Sequence, residues 1–216
     1  MEDIFREYKK SDYVQCEELV SQAWGFDYIF SSESLSTFAK YLYTKGAVMS
    51  SNYKMVVENQ GQVVGFFYGF NERAKKPAKN LLFRLYLFIR LMSIKGSSLE
   101  KKTLLEALSN HQKNRLTVVE NGKNEIVLFV VSKDYQRKGI GKKLWFGFKE
   151  YCIEYGVKSV IVETNKLGAS RFYEKVGFKH LSDFDSLECQ RFFVPRFFDF
   201  SSARSRCSFS NFAGAI

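Results

Sequence analysis

Near the beginning of the chain, the spacing of the apolar residues changes from every second residue to the period of a helix. Residues 4–8 alternate apolar and charged side chains, which predicts a short β-strand. Asp12 is a residue type that often caps helices, and the pattern behind it predicts a helix to about Trp24. For the same reason, Ser34 predicts a second helix that runs to about Gly46.

The next segment predicts a hairpin followed by two helices. Residues 53–58 and 63–70 are apolar and either β-branched or aromatic, and the sequence Asn-Gln-Gly-Gln separates them, which is typical of a β-hairpin. Residues 71–116 are basic and favour helices, with a Gly-Ser break at 96–98. We therefore expect a pair of helices inserted between two strands.

A buried strand and an amphipathic helix are predicted after this insertion. Residues 124–132 form a near-continuous apolar run, which is typical of a strand covered on both faces. Residues 142–155 predict a helix, and Gly156 predicts its C-terminal end. The apolar positions of this region fall four apart and predict one buried face, formed by Ile140, Leu144, Phe148 and Cys152.

The last part of the chain predicts a further strand, a short helix and a final strand pair. Residues 158–164 are apolar enough for a buried strand, and residues 169–177 predict the short helix. The final pair is expected to end at about Val194. Residues 195–216 contain many Phe and Ser side chains without a period, so we expect a loosely ordered extension, with a docked segment as the alternative. The sequence thus predicts one α/β domain over 1–194, built on a mixed sheet of the α+β kind.

Composition narrows the classes of partner without choosing among them. The 216 residues include 22 Phe and 12 Tyr. Their formal net charge of +10 favours nucleic acid, an anionic membrane or a phosphorylated small molecule as the partner.

The beginning of the chain has no secretory signal and the four cysteines are scattered, so we expect a reduced, cytoplasmic protein. Only two histidines accompany these cysteines, and we expect no metal. The most apolar run, 81–92, contains two arginines and is too short to span a bilayer.

The segment Gln-Arg-Lys-Gly-Ile-Gly-Lys-Lys at 136–143 predicts an anion site. It joins the predicted strand to the predicted helix, whose first N–H groups lack intrahelical partners and attract negative charge. Glycines at 139 and 141 let a phosphate approach the backbone. A solvated basic helix start is the alternative. Two other phosphate motifs do not fit, because Gln136 and Lys143 break the Walker pattern and Leu144 breaks the dinucleotide fingerprint.

Gln-Arg-Lys-Gly-Ile-Gly resembles the Gln/Arg-x-x-Gly-x-Gly/Ala motif of the GNAT acyltransferase family. The preceding apolar run resembles the fourth strand of that family, and Ala169–Phe178 resembles its Ala-x-x-hydrophobic-Tyr-Glu-Lys-x-Gly-Phe segment. The resemblance covers about 123–181 and is compatible with 1–70. It implies the GNAT acyl-CoA N-acyltransferase fold, with 71–116 as a helical insertion between the third and fourth strands.

The resemblance implies transfer of an acetyl group from acetyl-CoA to a primary amine of a small molecule or peptide. The amine attacks the thioester directly in a ternary complex, and the pantetheine arm of coenzyme A lies between splayed fourth and fifth strands. A backbone N–H near Val130 stabilises the oxyanion. Asn165 or Ser170 orients the coenzyme. The residues implied in binding coenzyme A along the strand and the loop are Phe129, Val130, Val131, Gln136, Arg137, Lys138, Gly139, Ile140, Gly141 and Lys142.

Two residues are candidates for proton transfer. Tyr173 matches the family tyrosine that protonates the leaving thiolate, with packing in a helix as the alternative. Glu125 is the candidate base, and two-residue alternation places it on one face with Val127 and Phe129. An ordinary exposed strand end is the alternative for Glu125, and Glu163 and Glu120 are weaker candidates for the base.

Other classes of function remain open. The chain could be a coenzyme-A-binding regulatory module without catalysis. The basic region 73–102 is best explained as a solvated face, so we expect no specific nucleic acid partner. Its helices could also rest on an anionic membrane, cover the acceptor site as a lid, or form a homodimer contact.

Overall fold

Seven strands pair into one mixed sheet in the part of the chain that the computed structural model describes, which is 2–75, 77, 81–94, 98–116, 124–165, 169–185 and 208–215. The strands are β1 (Ile4–Glu7), β2 (Tyr53–Asn59), β3 (Gln62–Phe70), β4 (Glu125–Val131), β5 (Ser159–Asn165), β6 (Phe178–Asp185) and β7 (Ser208–Ala215). Their order in the sheet is β1-β2-β3-β4-β5-β7-β6. The helices are α1 (Tyr13–Trp24), α2 (Glu33–Ser50), α3 (Leu81–Ser93), α4 (Ser98–Leu116), α5 (Ile140–Glu154) and α6 (Ser170–Lys175).

The sheet is antiparallel from β1 to β4 and parallel only between β4 and β5. The predicted hairpin is confirmed as β2 and β3, with Gln60 and Gly61 both at positive φ in the turn. On its far side, β5 pairs antiparallel with β7, which also pairs with β6. The predicted mixed α/β sheet is therefore confirmed.

Helices cover both faces of the sheet. α1 and α2 pack on one face, and the core there includes Cys16, Tyr43 and Phe66. α5 and α6 pack on the other, and the core there includes Phe67 and Tyr173. The predicted apolar face of α5 is confirmed, because all of its members are buried: Ile140, Leu144, Phe148 and Cys152.

The two helices predicted between the hairpin and the next strand are present as α3 and α4. One face of α3 packs against α2 and α4, in a cluster that includes Phe38, Leu87 and Leu108. Because this cluster lies between helices, it is separate from the two cores on the sheet. In the described residues, no helix is both long enough and apolar enough to cross a membrane.

Helix starts differ from the sequence prediction by one or two residues. α2 begins at Glu33 rather than after Ser34, because the Ser32 hydroxyl accepts a hydrogen bond from the Leu35 N–H. It also runs beyond Gly46 to Ser50. α5 begins at Ile140, two residues before the predicted Lys142, because Gly139 in the left-handed region serves as its N-cap.

The predicted end of the chain is wrong in one respect. Ser208–Ala215 lies in the segment expected to be a loosely ordered extension, yet it forms β7 between β5 and β6. β5 has an edge that β4 does not use, and this edge supplies the partner groups that order these residues. Of the strand pair predicted to end at about Val194, the first strand is present as β6, whereas its partner β7 lies beyond the predicted range. Residues 186–194 lie outside the described part.

The α5 helix ends as predicted at Gly156, whose φ is 65°. The Gly156 N–H donates to the Ile153 carbonyl and the Val157 N–H to the Cys152 carbonyl, which is the Schellman arrangement. The Arg73 guanidinium donates to the Gly156 carbonyl at 2.7 Å. The Arg73 cation therefore lies at the negative, C-terminal end of the α5 dipole, where positive charge is stabilising.

A cluster of charges joins the first strand to the start of α1. The Arg6 guanidinium donates to both carboxylate oxygens of Asp12, at 2.8 and 2.9 Å, and to Glu58 at 2.9 Å. Asp12 does not cap α1 with its side chain, but accepts from the Lys9 N–H instead. Burial alone would raise the pKa of Asp12, yet the hydrogen bonds from Arg6 and Lys9 hold this pKa below its usual range.

We predict that Arg6→Ala lowers the free energy of unfolding by about 3 kcal/mol at pH 7, because it leaves the buried Asp12 carboxylate without its cation. A depressed folded-state pKa stabilises above the unfolded value, so the deficit should shrink as the pH falls below about 4. Urea denaturation at several pH values measures both effects. Lys102→Ala is the control, since the Lys102–Glu106 pair is exposed and 3.9 Å long. An equal loss in both variants would contradict the prediction.

Candidate active site

The site begins where β4 and β5 separate. The two strands pair only at Glu125 with Ile161 and at Ile126 with Val162. Further along, β4 continues to pair with β3, but no other strand in the described part of the chain pairs with its opposite edge. Backbone groups along that edge therefore face a gap between the strands.

The ladder between β3 and β4 decides which residues face this gap. The Ser132 N–H donates to the Val64 carbonyl at 2.9 Å, and the register pairs Val130 with Phe66. In an antiparallel ladder, successive residues turn their backbone groups to opposite sides. Phe129 and Val131 therefore direct their N–H and carbonyl groups to the gap. The expectation for the Val130 N–H needs correction, because this group points toward β3.

A β-bulge changes the face of the residue expected to act as the base. Gly69 pairs with Ile126 and Tyr68 with Leu128, so Val127 is an extra residue in β4. As a result, Val127 packs on the α1/α2 side of the sheet, whereas Phe129 packs on the α5 side. The predicted common face of Glu125, Val127 and Phe129 is therefore wrong.

Glu125 lies on the α1/α2 side. It pairs with Phe70, which belongs to the core on that side, and cross-strand partners share a face. Glu125 is only 5 % exposed, so the alternative of an ordinary exposed strand end is wrong. A buried carboxylate at the point where two strands part is a suitable group for proton transfer.

Glu163 approaches the same place from β5. Val160 and Val162 belong to the core on the α5 side, so alternation turns Glu163 to the α1/α2 side. It lies two residues beyond Ile161, the partner of Glu125. From the sequence, Glu163 is a weaker candidate for the base than Glu125, and only the strand pairing indicates that both carboxylates border the gap. Glu120 lies outside the described residues.

The loop after β4 has an unusual backbone conformation. Arg137 has a φ of 62° and Gly139 a φ of 86°, so both adopt the left-handed region. The Gln136 side-chain amide donates to the Val131 carbonyl at 3.0 Å and ties the loop to the strand. Nothing lies within 4 Å of the position that a Cβ on Gly139 would occupy. The loop is therefore open to solvent at this glycine.

The N-terminus of α5 presents free amides and cations to the same opening. The Lys143 N–H donates to the Gly139 carbonyl at 3.1 Å, so the N–H groups of Ile140, Gly141 and Lys142 have no partner in the helix. In the described residues, no ion pair involves the exposed cations around them, which are Arg137, Lys138, Lys142 and Lys143. This arrangement favours a bound anion.

Gly141 has a packing role beyond the one expected from the sequence. A Cβ at this position would lie 3.1 Å from the Phe129 ring and 3.4 Å from the Phe172 ring. The rings of Phe129 and Phe172 contact each other, with centroids 5.5 Å apart. The missing side chain therefore lets α6 approach β4 across the mouth of the gap.

Tyr173 follows Phe172 in α6 and is buried on the α5 side. Its ring packs edge-on against Phe172 and Phe178, with centroids 5.3 and 5.4 Å away. Burial raises the pKa of the Tyr173 phenol, which therefore remains protonated at neutral pH. The predicted alternative of a packing role is consistent with these contacts, and the position beside the gap is also suitable for a proton donor.

Sequence and structure comparisons agree on the class of domain. The model of the acetyltransferase (GNAT) domain family matches residues 110–187, which include β4, the loop, α5, β5 and α6. This match confirms the resemblance to the GNAT family over these residues. None of the curated protein sequences compared with the chain matches it.

Several solved structures share the fold of this chain at low sequence identity. Ard1 from Thermoplasma volcanium has 15 % identity and a TM-score of 0.53, with 100 % of this chain and 99 % of that chain covered. PaiA N-acetyltransferase from Thermoplasma acidophilum, in complex with coenzyme A, has 14 % identity and a TM-score of 0.53, with 100 % of each chain covered. The ribosomal-protein-S18-alanine N-acetyltransferase from Escherichia coli has 11 % identity and a TM-score of 0.51, with 100 % and 94 % covered. At these identities the likeness shows the fold alone.

Asn165 and Ser170 are the two residues that the resemblance implies in orienting the coenzyme. Asn165 ends β5 and pairs with Phe209 of β7, while its side chain and the residues 166–168 lie outside the described part. Ser170 begins α6 and is half-buried. The roles of both residues therefore stay predictions.

The two cysteines in the described part of the chain are poor nucleophiles. Cys16 and Cys152 are fully buried in the two cores, and burial raises the pKa of each thiol to about 12. A thiol with such a pKa is almost entirely protonated at neutral pH. Neither of these two thiols is therefore suited to form a covalent enzyme intermediate.

We predict that Gly139→Ala weakens binding of coenzyme A about tenfold, because a Cβ in the left-handed region distorts the amides that face the anion. Gly177→Ala is the matched control, since Gly177 also has positive φ and open space around its missing Cβ, but follows α6. Titration calorimetry measures the affinities, and thermal denaturation should show similar destabilisation in both variants. Equal affinities in the two variants would refute the assignment of this loop.

Proposed function

We propose that this protein transfers an acetyl group from acetyl-CoA to the primary amine of a small molecule or peptide. The observation that best supports this reaction is the gap between β4 and β5 beside the open N-terminus of α5. A diphosphate suits the helix end, and an extended thioester arm suits an unpaired strand edge. Acyl transfer is the reaction class of the GNAT family, and the acetyl group and the amine are the finer parts of the proposal.

The donor would be held by backbone groups in two places. The diphosphate would accept hydrogen bonds from the amides of Ile140, Gly141 and Lys142, with Arg137 and Lys138 adding positive charge. The pantetheine arm would bond to Phe129 and Val131 as an added strand. The solved complex of PaiA N-acetyltransferase with coenzyme A, which shares this fold, supports the choice of donor.

The thioester carbonyl would be polarised by an amide that already faces the gap. As the amine attacks, negative charge develops on the carbonyl oxygen, and one fixed N–H there is worth about 3 kcal/mol. The register favours Phe129 or Val131 for this role over Val130, whose N–H is turned to β3. No covalent enzyme intermediate is needed, because the amine attacks the thioester directly.

The acceptor amine would lose its proton to Glu125. An amine with a pKa of about 10.4 is neutral in about one molecule in 2,500 at pH 7, so a base is valuable. Glu125 is buried on the α1/α2 side, where the gap opens, and Glu163 lies on the same side. We assign to Glu125 the removal of one proton before the attack and, after it has released this proton to solvent, of the second proton from the nitrogen of the tetrahedral intermediate. We assign the attraction of the cationic amine to Glu163.

The leaving thiolate would be protonated by Tyr173. This phenol is buried next to Phe172, which itself contacts Phe129 of β4. Its raised pKa keeps it protonated, and the same loss of solvent that raises this pKa would also make a nearby thiolate more basic. Transfer of a proton between the two therefore remains feasible in the closed complex.

We predict that Glu125→Gln lowers kcat/KM for an amine acceptor about a hundredfold at pH 7, because the base is lost. The deficit should shrink as the pH approaches the pKa of the acceptor, since the amine then loses its proton to solvent. Thiol release from acetyl-CoA, measured with a panel of amines across pH, tests this. Glu154→Gln at the far end of α5 is the control. A pH-independent deficit would indicate a structural role for Glu125.

We predict that Tyr173→Phe lowers kcat about a hundredfold and leaves the affinity for acetyl-CoA unchanged, because the ring packing is kept and only the proton donor is lost. Tyr155→Phe, at the opposite end of α5, should have no effect. Stopped-flow measurement of thiol release gives kcat, and calorimetry gives the affinity. If wild-type protein binds acetyl-CoA but releases no thiol with any amine, it is a binding module and the proposed function is wrong.

A further inference from the structure

α3 has two apolar faces, and only one of them is covered. Phe83, Leu87 and Leu91 are buried against α2 and α4. The opposite side is called here the outer face of α3, and its side chains are between 47 % and 77 % exposed: Leu81, Leu82, Leu85, Tyr86, Phe88, Ile89 and Met92. Such a continuous exposed patch is unusual on a soluble domain and indicates an interaction surface.

The geometry of the helix arranges these side chains with a cation on each border. At 3.6 residues per turn, the apolar and aromatic side chains of the outer face span an arc of about 160°. Arg84 and Arg90 lie at the two edges of this arc, between the outer and the buried face. Arg90 rests over the Tyr41 ring at 4.6 Å, and Arg84 is exposed. A long cationic side chain in such a position can reach lipid headgroups while its stem lies on apolar surface.

The sequence around α3 has positive charge only. No Asp or Glu occurs between Glu72 and Glu100. The cations of this interval are Arg73, Lys75, Lys76, Lys79, Arg84, Arg90 and Lys95. A second copy of the chain docked through the same face would bring two such segments together without a counter-charge, which opposes association. A surface that is both negatively charged and apolar beneath its charges is the complementary partner.

We propose that the outer face of α3 binds to the surface of an anionic lipid bilayer. The helix lies in the plane of the interface, with Leu85 and Ile89 among the acyl chains and Arg84 and Arg90 at the headgroups. The thirteen residues of α3 suit this orientation, since an interfacial helix needs an apolar face and not the length of a span. The acceptor side of the domain, covered by α2, then lies near the membrane, because α2 packs against α3.

The experiment compares two isoleucines of equal exposure. Ile89 on the outer face is 55 % exposed and Ile153 on α5 is 52 % exposed. Ile89→Glu and Ile153→Glu change the net charge equally, so a difference between them reports contact of the outer face and not general charge. The full chain is mixed with phosphatidylcholine vesicles, either pure or with about 30 % phosphatidylglycerol, and the bound fraction is measured by flotation.

We expect wild type and Ile153→Glu to bind the anionic vesicles alike, and Ile89→Glu to bind about tenfold less. Pure phosphatidylcholine should also bind about tenfold less, because the cations lose their partners. Equal binding of all three proteins, or no binding of wild type to anionic vesicles, overturns the proposal. A dimer in analytical ultracentrifugation that Ile89→Glu converts to monomer also overturns it, since the second copy then covers the face. Unchanged thermal denaturation and coenzyme A affinity show that each variant is folded.

Discussion

The separation of β4 and β5 after two residue pairs is the constraint on which the rest of the site depends. A parallel pair that continued would use the backbone groups of Phe129 and Val131 for hydrogen bonds to β5. The Phe129 groups and the Val131 N–H are available for a ligand only because β5 is held from its other side, where β7 pairs with it along all seven residues. The Val131 carbonyl accepts a hydrogen bond from the Gln136 side-chain amide. Buried backbone groups without a partner are costly, so an open strand edge of this kind favours water or an extended ligand. The C-terminal strand therefore supports the gap from a distance, although none of its residues borders β4 in the sheet.

The two ends of α5 differ in their capping, and this difference makes the site positively charged. At the C-terminus, the Schellman bonds and the Arg73 guanidinium satisfy the last carbonyls. At the N-terminus, no side chain caps the helix, and its first turn contains no acid. The positive end of the dipole is thus left open toward the loop, with exposed lysines around it. Buried contacts along α5, such as those of Phe148 with Phe67 and Tyr53, fix this open end relative to the sheet.

The parts of the molecule that sequence could predict are those with a local period or motif. The hairpin, the buried face of α5 and the glycine loop belong to this group. The bulge at Val127 could not be predicted, because an extra residue in the all-apolar run from Ile126 to Val131 changes no period. The β7 strand was missed for a related reason: Phe209 and Phe212 are three residues apart and give no alternation. Its order comes from pairing with β5, which is distant in sequence. The orientation of the Val130 amide likewise depends on register, which only the partner strand sets.

The bulge has a further consequence for the proposed chemistry. Tyr173 belongs to the core on the α5 side of the sheet, whereas Glu125 lies on the α1/α2 side. A proton donor and a proton acceptor in direct contact would neutralise each other, and a continuous sheet between them would keep them from acting on one substrate. In the proposed reaction, the gap between β4 and β5 would resolve both difficulties, because a thioester placed in it would be reached by the amine from one face and by the phenol from the other. The amine would lose its proton on the α1/α2 side, and the thiolate would gain one on the α5 side. Net transfer of the acyl group would then need no proton to cross the sheet inside the protein, since solvent restores Glu125 and Tyr173 separately after each turnover.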